Sequence, residues 1–331
     1  MRVCDIGGWT DTWFARHGHV FSIAVRPGIE VVASAYPRAS RPHAVVVHAL
    51  DYGERLVLDR GHPVPARHRL LAAAVDEATI PDDCAVEVSV ASGVPPGCAT
   101  GTSAAVAVAL IGALDRLTPT SRTIAEIARA AHRVEVERLG LQSGVQDQLA
   151  AAHGGINHIE VTEYPDAHVQ RLVLNPARRS ELERRLVLVY LGRAHHSSAV
   201  HEQVIAELAD DGPGAPRLDA LRRDALRAVD AAVRGDWATL GRVMIDSTEH
   251  QAALHPSLVG DGAREVIDAA DRCGALGWKV NGAGGDGGSL ALLCETDAGA
   301  RRAVVDAVVA IAGASVIPIR LSARGLRRRE R

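Results

Sequence analysis

The chain has 331 residues, 47% of them hydrophobic and 23% charged, with a formal net charge of −3. That is enough for one large domain or two ordinary ones with a substantial core. Near-neutral charge and only 3% aromatic residues argue against a nucleic-acid binder, which wants a basic face and stacking rings. The longest apolar stretch, 104–114, is too short to span a bilayer. The final arginines (Arg327, Arg328, Arg329 and Arg331) read as a solvated tail. Five scattered cysteines without CxxC spacing, and no charged segment followed by an apolar run at the N-terminus, predict reduced thiols in a cytoplasmic protein.

In chain order, residues 19–36 alternate as strands, broken at Pro27-Gly28. Strands are predicted at 43–50, 55–58 and 85–91, with a helix over 68–80 between the last two. A turn at 92–97 leads into a helix from Thr102 to about Arg116, and another helix covers 123–139. A short helix at 145–152 and a strand at 157–161 follow, and the Pro-, Arg- and Glu-rich stretch 175–185 reads as a boundary. Beyond it lie a strand at 186–191, helices at 198–209, 218–233, 237–254 and 263–273, strands at 276–280 and 289–294, a helix at 298–312 and a strand at 315–321. Strands and helices mix in both halves, which predicts an α+β fold.

The most informative segment runs Val94-Pro95-Pro96-Gly97-Cys98-Ala99-Thr100-Gly101-Thr102-Ser103. It follows a strand and opens a helix that is apolar all round. Gly97 and Gly101 allow close backbone approach, and Thr102 or Ser103 is placed to cap the first turn. Free N–H groups and the positive dipole end then favour phosphate; an ordinary capped junction would look similar. It is not a Walker A loop, because it lacks the GKS/T ending. A second run, Asn281 to Gly288, formally contains GxGxxG but leads into a strand, which excludes a dinucleotide fold. Its many glycines suggest close approach to the backbone.

On the helix 123–139, Ile124, Ile127, Ala128 and Ala131 form an apolar stripe, and Glu135 falls on it, whereas Glu137 falls on the opposite face. An inward carboxylate must be paired or metal-bound, so both a structural salt bridge and a Mg²⁺ ligand remain open. Asp147, just after that helix, is either a polar residue of a helix start or a carboxylate that orients a hydroxyl for attack on phosphorus. Arg193, His195, His196 and His201 read as a polar loop that either lines a substrate site or merely faces solvent.

These segments resemble the GHMP kinase superfamily. The run Arg2 to Asp11 is similar to its first motif in the sugar-kinase form, and 95–105 to its second. Residues 146–160 are similar to a segment of D-glycero-D-manno-heptose-7-phosphate kinases, and 274–288 to the third motif. The resemblance is in order and covers about 2–321. It implies a ribosomal protein S5 domain 2-like N-terminal domain, taken as 1–175, and a ferredoxin-like C-terminal domain, taken as 176–331. It implies ATP and Mg²⁺, with Pro96, Gly97, Cys98, Ala99, Thr100, Gly101, Thr102 and Ser103 around the phosphates. Ser103 and Glu135 would meet the metal and Asp147 would be catalytic. Asp11, Arg193, His195, His196, Gly284, Gly285 and Asp286 would meet a sugar or sugar phosphate. Neither nucleic acid nor membrane is an expected partner, and a homodimer is compatible. The chain departs from the family pattern at Ala99 and Asp286, where glycines are usual, and at Thr100 and Thr102.

Overall fold

The computed structural model describes residues 1–59, 63–117, 121–194 and 198–330. The N-terminal half runs β1 (Arg2–Ile6), β2 (Gly18–Arg26), β3 (Ile29–Pro37), β4 (Val45–Ala49), β5 (Glu54–Val57), α1 (Arg69–Glu77), β6 (Cys84–Ser92), α2 (Thr102–Leu114), α3 (Ile124–Arg133), α4 (Gln146–His153), β7 (Ile156–Glu163) and β8 (Asp166–Leu172). The C-terminal half runs α5 (Pro176–Arg185), β9 (Leu186–Tyr190), α6 (Ser198–Asp211), α7 (Pro216–Arg234), α8 (Trp237–Leu254), α9 (Asp261–Arg272), β10 (Gly277–Val280), β11 (Ser289–Leu293), α10 (Ala298–Val309), β12 (Ser315–Ile317) and β13 (Arg320–Leu321).

Three sheets organise these elements. One has the order β1-β2-β7-β8, with β13 also on β2; the second is β3-β6-β4-β5, and the third β10-β11-β9-β12. Every pairing is antiparallel except β4 with β6. The third sheet, with its helices between β9 and β10 and between β11 and β12, has the split β-α-β connectivity of a ferredoxin-like domain. Apolar side chains of α1, α2 and α3 pack on the second sheet, and those of α9 and α10 on the third. A further cluster joins the halves, burying Val3, Phe21 and Ile23 against Leu182, Leu188, Ala228, Leu240 and Leu293. This shared core holds the first and third motifs against one another. No described helix is long and apolar enough to cross a membrane.

Four differences from the expected elements have local causes. Residues 176–185, within the stretch read as a boundary, form the helix α5 that was not expected there. The Asn175 side chain accepts the Arg178 N–H at 2.9 Å, Pro176 starts the helix, and Leu182 and Arg185 are buried. Polar, half-exposed β8 escapes the alternation pattern because it is an edge strand. The predicted strand 315–321 is two: Pro318 separates β12, on the C-terminal sheet, from β13, on the N-terminal one. The helix 123–139 is regular only to Arg133 and ends in a π turn, Val134–Arg138.

Candidate active site

The loop between β6 and α2 turns on Gly97 (φ 71°), Ala99 (φ 55°) and Gly101 (φ 67°), all left-handed. Gly101 occupies the N-cap position, and no side chain caps the helix. This corrects the expectation that Thr102 or Ser103 caps it: Thr102 Oγ1 instead lies 3.3 Å from Thr100 Oγ1. The first-turn N–H groups are left for an anion, at the positive end of a buried helix. Gly97, Cys98, Ala99, Gly101, Thr102 and Ser103 line a cavity of about 590 Å³. Pro96 is exposed outside it, and Thr100 is buried beneath the loop. Alanine in the left-handed region costs about 1 kcal/mol relative to glycine. Ala99→Gly is therefore expected to raise Tm by about 2 °C, read by thermal unfolding.

Glu135 sits in the π turn, a device that often places a functional side chain. The turn is clamped from α1: Glu77 accepts from Arg133 at 2.7 Å and from Arg138 at 2.6 Å. Glu135 is 3% exposed. Its Oε2 accepts from Ser143 Oγ (2.8 Å) and Gln148 Nε2 (2.6 Å), while Oε1 is buried without a hydrogen-bond partner. Burial raises its pKa, and the hydrogen bond from Ser143 is the chief influence opposing that rise. An orphaned carboxylate oxygen in the cavity that Ser103 of the phosphate loop also lines fits a nucleotide-borne Mg²⁺, which keeps waters and phosphates and takes one or two protein oxygens. Among the described residues no cluster of three His, Cys, Asp or Glu forms an all-protein cage.

Asp147 lies in the first turn of α4. Arg2 forks onto it, Nε to Oδ1 at 2.7 Å and Nη2 to Oδ2 at 3.2 Å. A Cβ at Gly101 would stand 3.0 Å from its Cγ, so the loop needs glycine there. Arg2 Nη1 also donates to the Ala99 carbonyl at 2.6 Å, and Asp5 lies 3.7 Å away. Burial opposes the Arg2 charge, but Asp147 and Asp5 outweigh it and its pKa rises. Asp5 in turn accepts the Gly282 N–H with both oxygens (3.1 and 2.9 Å), which ties the third motif to the pair.

Asp11 is buried beside the same cavity. It accepts from the Gln146 backbone N–H at 3.0 Å and from Gln146 Nε2 at 3.4 Å. Gly144 gives it room, because a Cβ there would collide with the carboxylate. Burial pushes its pKa up to about 6, with the Gln146 N–H pulling the other way.

The cavity thus gathers Asp11, Glu135, Asp147 and six residues of the loop, with Gly282 and Ala283 of the third motif. Gly284, Gly285, Asp286 and Arg193 do not line it. Gly285 donates to the Leu258 carbonyl at 2.9 Å, Asp286 is exposed against Gly260, and exposed Arg193 accepts the Gly288 N–H at 3.0 Å through its carbonyl. Asp286 was expected to meet a sugar or sugar phosphate; its carboxylate stands beside Gly260 instead, where Val259 and Gly285 bridge the two segments. His195 and His196 lie outside the described residues. Sequence reasoning missed Arg2, Asp5, Gln146 and Lys279. Lys279, the chain's sole lysine, is buried and donates to Gln251 Oε1 (2.6 Å) and the Val280 carbonyl (2.5 Å). Gln251 Nε2 donates on to the Gly282 carbonyl at 3.0 Å, so this pair props the third motif from below. Burial lowers the Lys279 pKa.

Known proteins are similar to this chain in sequence and fold. The model of the GHMP kinases N terminal domain matches residues 68–155, and that of the GHMP kinases C terminal matches 228–310. A D-glycero-alpha-D-manno-heptose 7-phosphate kinase of Campylobacter jejuni is 29% identical over 201 residues, 59% of this chain and 58% of that enzyme. The mevalonate kinase of Thermococcus onnurineus is 31% identical over 245 residues, 73% of this chain and 68% of that enzyme. The crystal structure of a D-glycero-D-manno-heptose 1-phosphate kinase from Bacteriodes thetaiotaomicron superposes with a TM-score of 0.73 at 20% identity, covering 98% of this chain and 95% of that one. Fold and relatives define a phosphotransferase of mixed helix and sheet. The chain belongs to the GHMP kinase family.

Proposed function

We propose that the chain is an ATP-dependent sugar kinase whose acceptor is a sugar or sugar phosphate of the D-glycero-D-manno-heptose 7-phosphate kind. The observation that carries this reading is the meeting, in one cavity, of an uncapped helix N-terminus, the Arg2–Asp147 pair and buried Asp11. Residues 97–103 hold the ATP phosphates through backbone N–H groups. Ser103 and Glu135 would hold Mg²⁺, which when bound would supply charge neutralisation for the phosphates. Asp147 accepts the hydrogen bond of the acceptor hydroxyl and takes its proton as oxygen bonds to the γ-phosphorus. The bond from that phosphorus to the β–γ bridging oxygen breaks, and ADP leaves. Arg2 fixes the Asp147 carboxylate plane throughout, so positioning and charge supply most of the rate. Arg193, although it stands outside the cavity lining, is the candidate grip for a phosphate on the far end of the acceptor.

The test is ADP release with D-glycero-D-manno-heptose 7-phosphate, the unphosphorylated heptose, L-fucose and mevalonate. Turnover is expected to be fastest with the heptose phosphate, and turnover of mevalonate alone would overturn the sugar reading. Arg193→Ala is expected to raise KM for the sugar phosphate about 10-fold or more, with KM for ATP little changed. Equal activity on the unphosphorylated heptose would favour a fucokinase-like acceptor. Glu135→Gln is expected to raise the Mg²⁺ concentration for half-maximal rate by on the order of 10-fold, measured by magnesium titration at fixed ATP.

A further inference from the structure

Aromatic side chains are scarce here: four Trp, four Tyr and two Phe in the whole chain. Four of these ten rings form one connected group beside the cavity. Trp9 and Phe14 stand 6.4 Å apart between centroids, Phe14 and Trp13 5.3 Å, and Trp13 and Tyr164 6.5 Å. On its other side Trp9 meets the His201 ring of α6 at 4.6 Å. The indole is thus held from both halves of the molecule, and its orientation is fixed before any ligand arrives.

Trp9 is 6% exposed and lines the cavity, yet its Nε1 is buried without a hydrogen-bond partner. An indole N–H can only donate, and a buried indole ordinarily finds an acceptor. Gln146 is 8% exposed and lines the same cavity, and its Oε1 is likewise buried without a partner. Asp11 accepts from the Gln146 amide nitrogen, which fixes Oε1 as the free end. A Cβ at Gly8, the residue before Trp9, would lie 3.2 Å from Gln146 Nε2, and both Trp9 and Gln146 line the one cavity. The cavity wall therefore carries one orphaned donor and one orphaned acceptor, the acceptor on the side chain that also holds the Asp11 carboxylate.

We infer that Trp9 and Gln146 read a hydroxyl group of the acceptor, which makes them specificity-determining residues for a neutral polyol. A hydroxyl donates and accepts at once and satisfies both atoms. A carboxylate cannot donate to Gln146 and is repelled by Asp11, and an ammonium cannot accept from Trp9. This assignment rests on the sugar-kinase reading above and selects, within it, an acceptor whose ring end is uncharged. A site built to hydrogen-bond a hydroxyl discriminates strongly against an analogue lacking it, because its own buried groups are then left unpaired.

The test uses Trp9→Phe, which keeps a ring and removes the N–H, and Gln146→Met, which keeps volume and removes the acceptor. Each is expected to lower kcat/KM for D-glycero-D-manno-heptose 7-phosphate about 10-fold or more, with KM for ATP within about 2-fold of wild type. One monodeoxy analogue of that acceptor should be poor for the wild type, and on it Trp9→Phe should cost little more. Additive losses on every analogue, or equal changes in both KM values, would overturn the inference. A second measurement is independent of variant activity. Of the four indole N–H resonances of the wild type, the one absent from Trp9→Phe should shift when the heptose phosphate is added without nucleotide, and stay in place with mevalonate. Turnover of the sugar with no such shift would overturn the inference and leave the kinase reading standing. A wild type that phosphorylates mevalonate alone would overturn both.

Discussion

Asp147→Asn is expected to lower kcat by about 10² or more while leaving KM for ATP near the wild-type value, the signature of losing a group that acts only on the reacting hydroxyl. The side chain sits against Gly101 of the phosphate loop and lines the cavity, where the proposed mechanism puts the acceptor hydroxyl. The substitution also disturbs Arg2, which is buried and forks onto both carboxylate oxygens. An amide can accept from one arm of the fork only, so a fall in Tm is expected alongside the loss of rate. Arg2→Lys separates the two effects. It keeps the charge and removes the planar fork, and kcat should drop with Asp147 still present. Steady-state rates, single-turnover chemistry and thermal unfolding on the three proteins read all of this. Near-wild-type turnover in Asp147→Asn would defeat the mechanism.

Much of the fold was legible because the apolar patterns are clean. Alternation marks β2, β3 and β6, and the all-apolar run after Gly101 marks a buried helix. What escaped was polar or interrupted. Helix α5 has mostly charged side chains and shows itself only through Asn175-Pro176, and β8 is a half-exposed edge. The π turn is invisible to a helical wheel, which assumes a constant 100° step. Glu135 nevertheless falls inward, because the irregularity begins only at Val134.

The site was legible where chemistry and spacing coincide within a segment: loop 97–103, and Glu135 with Asp147. It was not legible where the function of a residue depends on a partner far along the chain. Arg2 gains its meaning from Asp147, 145 residues away, and Asp5 from Gly282, 277 residues away. Lys279 carries no sign of its role in its own segment; burial and its bond to Gln251 place it under the third motif. The glycines of that motif illustrate the opposite error. Gly284 and Gly285 have positive φ (75° and 100°), but what comes close to them is the backbone around Leu258 of this same chain.

Asp11→Asn is expected to stabilise the protein and cripple it. Burial raises the Asp11 pKa from 3.8 to about 6, so the folded state favours the protonated form more than the unfolded state does. At neutral pH, where the group is ionised, the folded protein therefore bears a cost, on the order of 3 kcal/mol for a shift of about 2 units. That cost is present in full above the folded pKa and disappears as pH falls from about 6 toward 4. Asparagine removes the charge and can still accept the Gln146 backbone N–H, but its NH₂ then faces Gln146 Nε2. Part of the cost should be recovered, about 1–2 kcal/mol at pH 7.5, with the advantage of the variant over wild type vanishing near pH 4. Activity should move the other way. On the proposed sugar-kinase reading an ionised Asp11 would accept strongly from a sugar hydroxyl, and losing it should lower kcat/KM for the sugar about 10²-fold. Wild-type kcat/KM for the sugar should itself fall as pH drops through about 6, whereas the variant's low value should stay flat there. Denaturant melts of both proteins at pH 7.5, 6 and 4, paired with pH–rate profiles, test the two halves together. A variant less stable than wild type at pH 7.5, with unchanged sugar kinetics, would show that Asp11 serves the fold through Gln146 and has no part in acceptor binding.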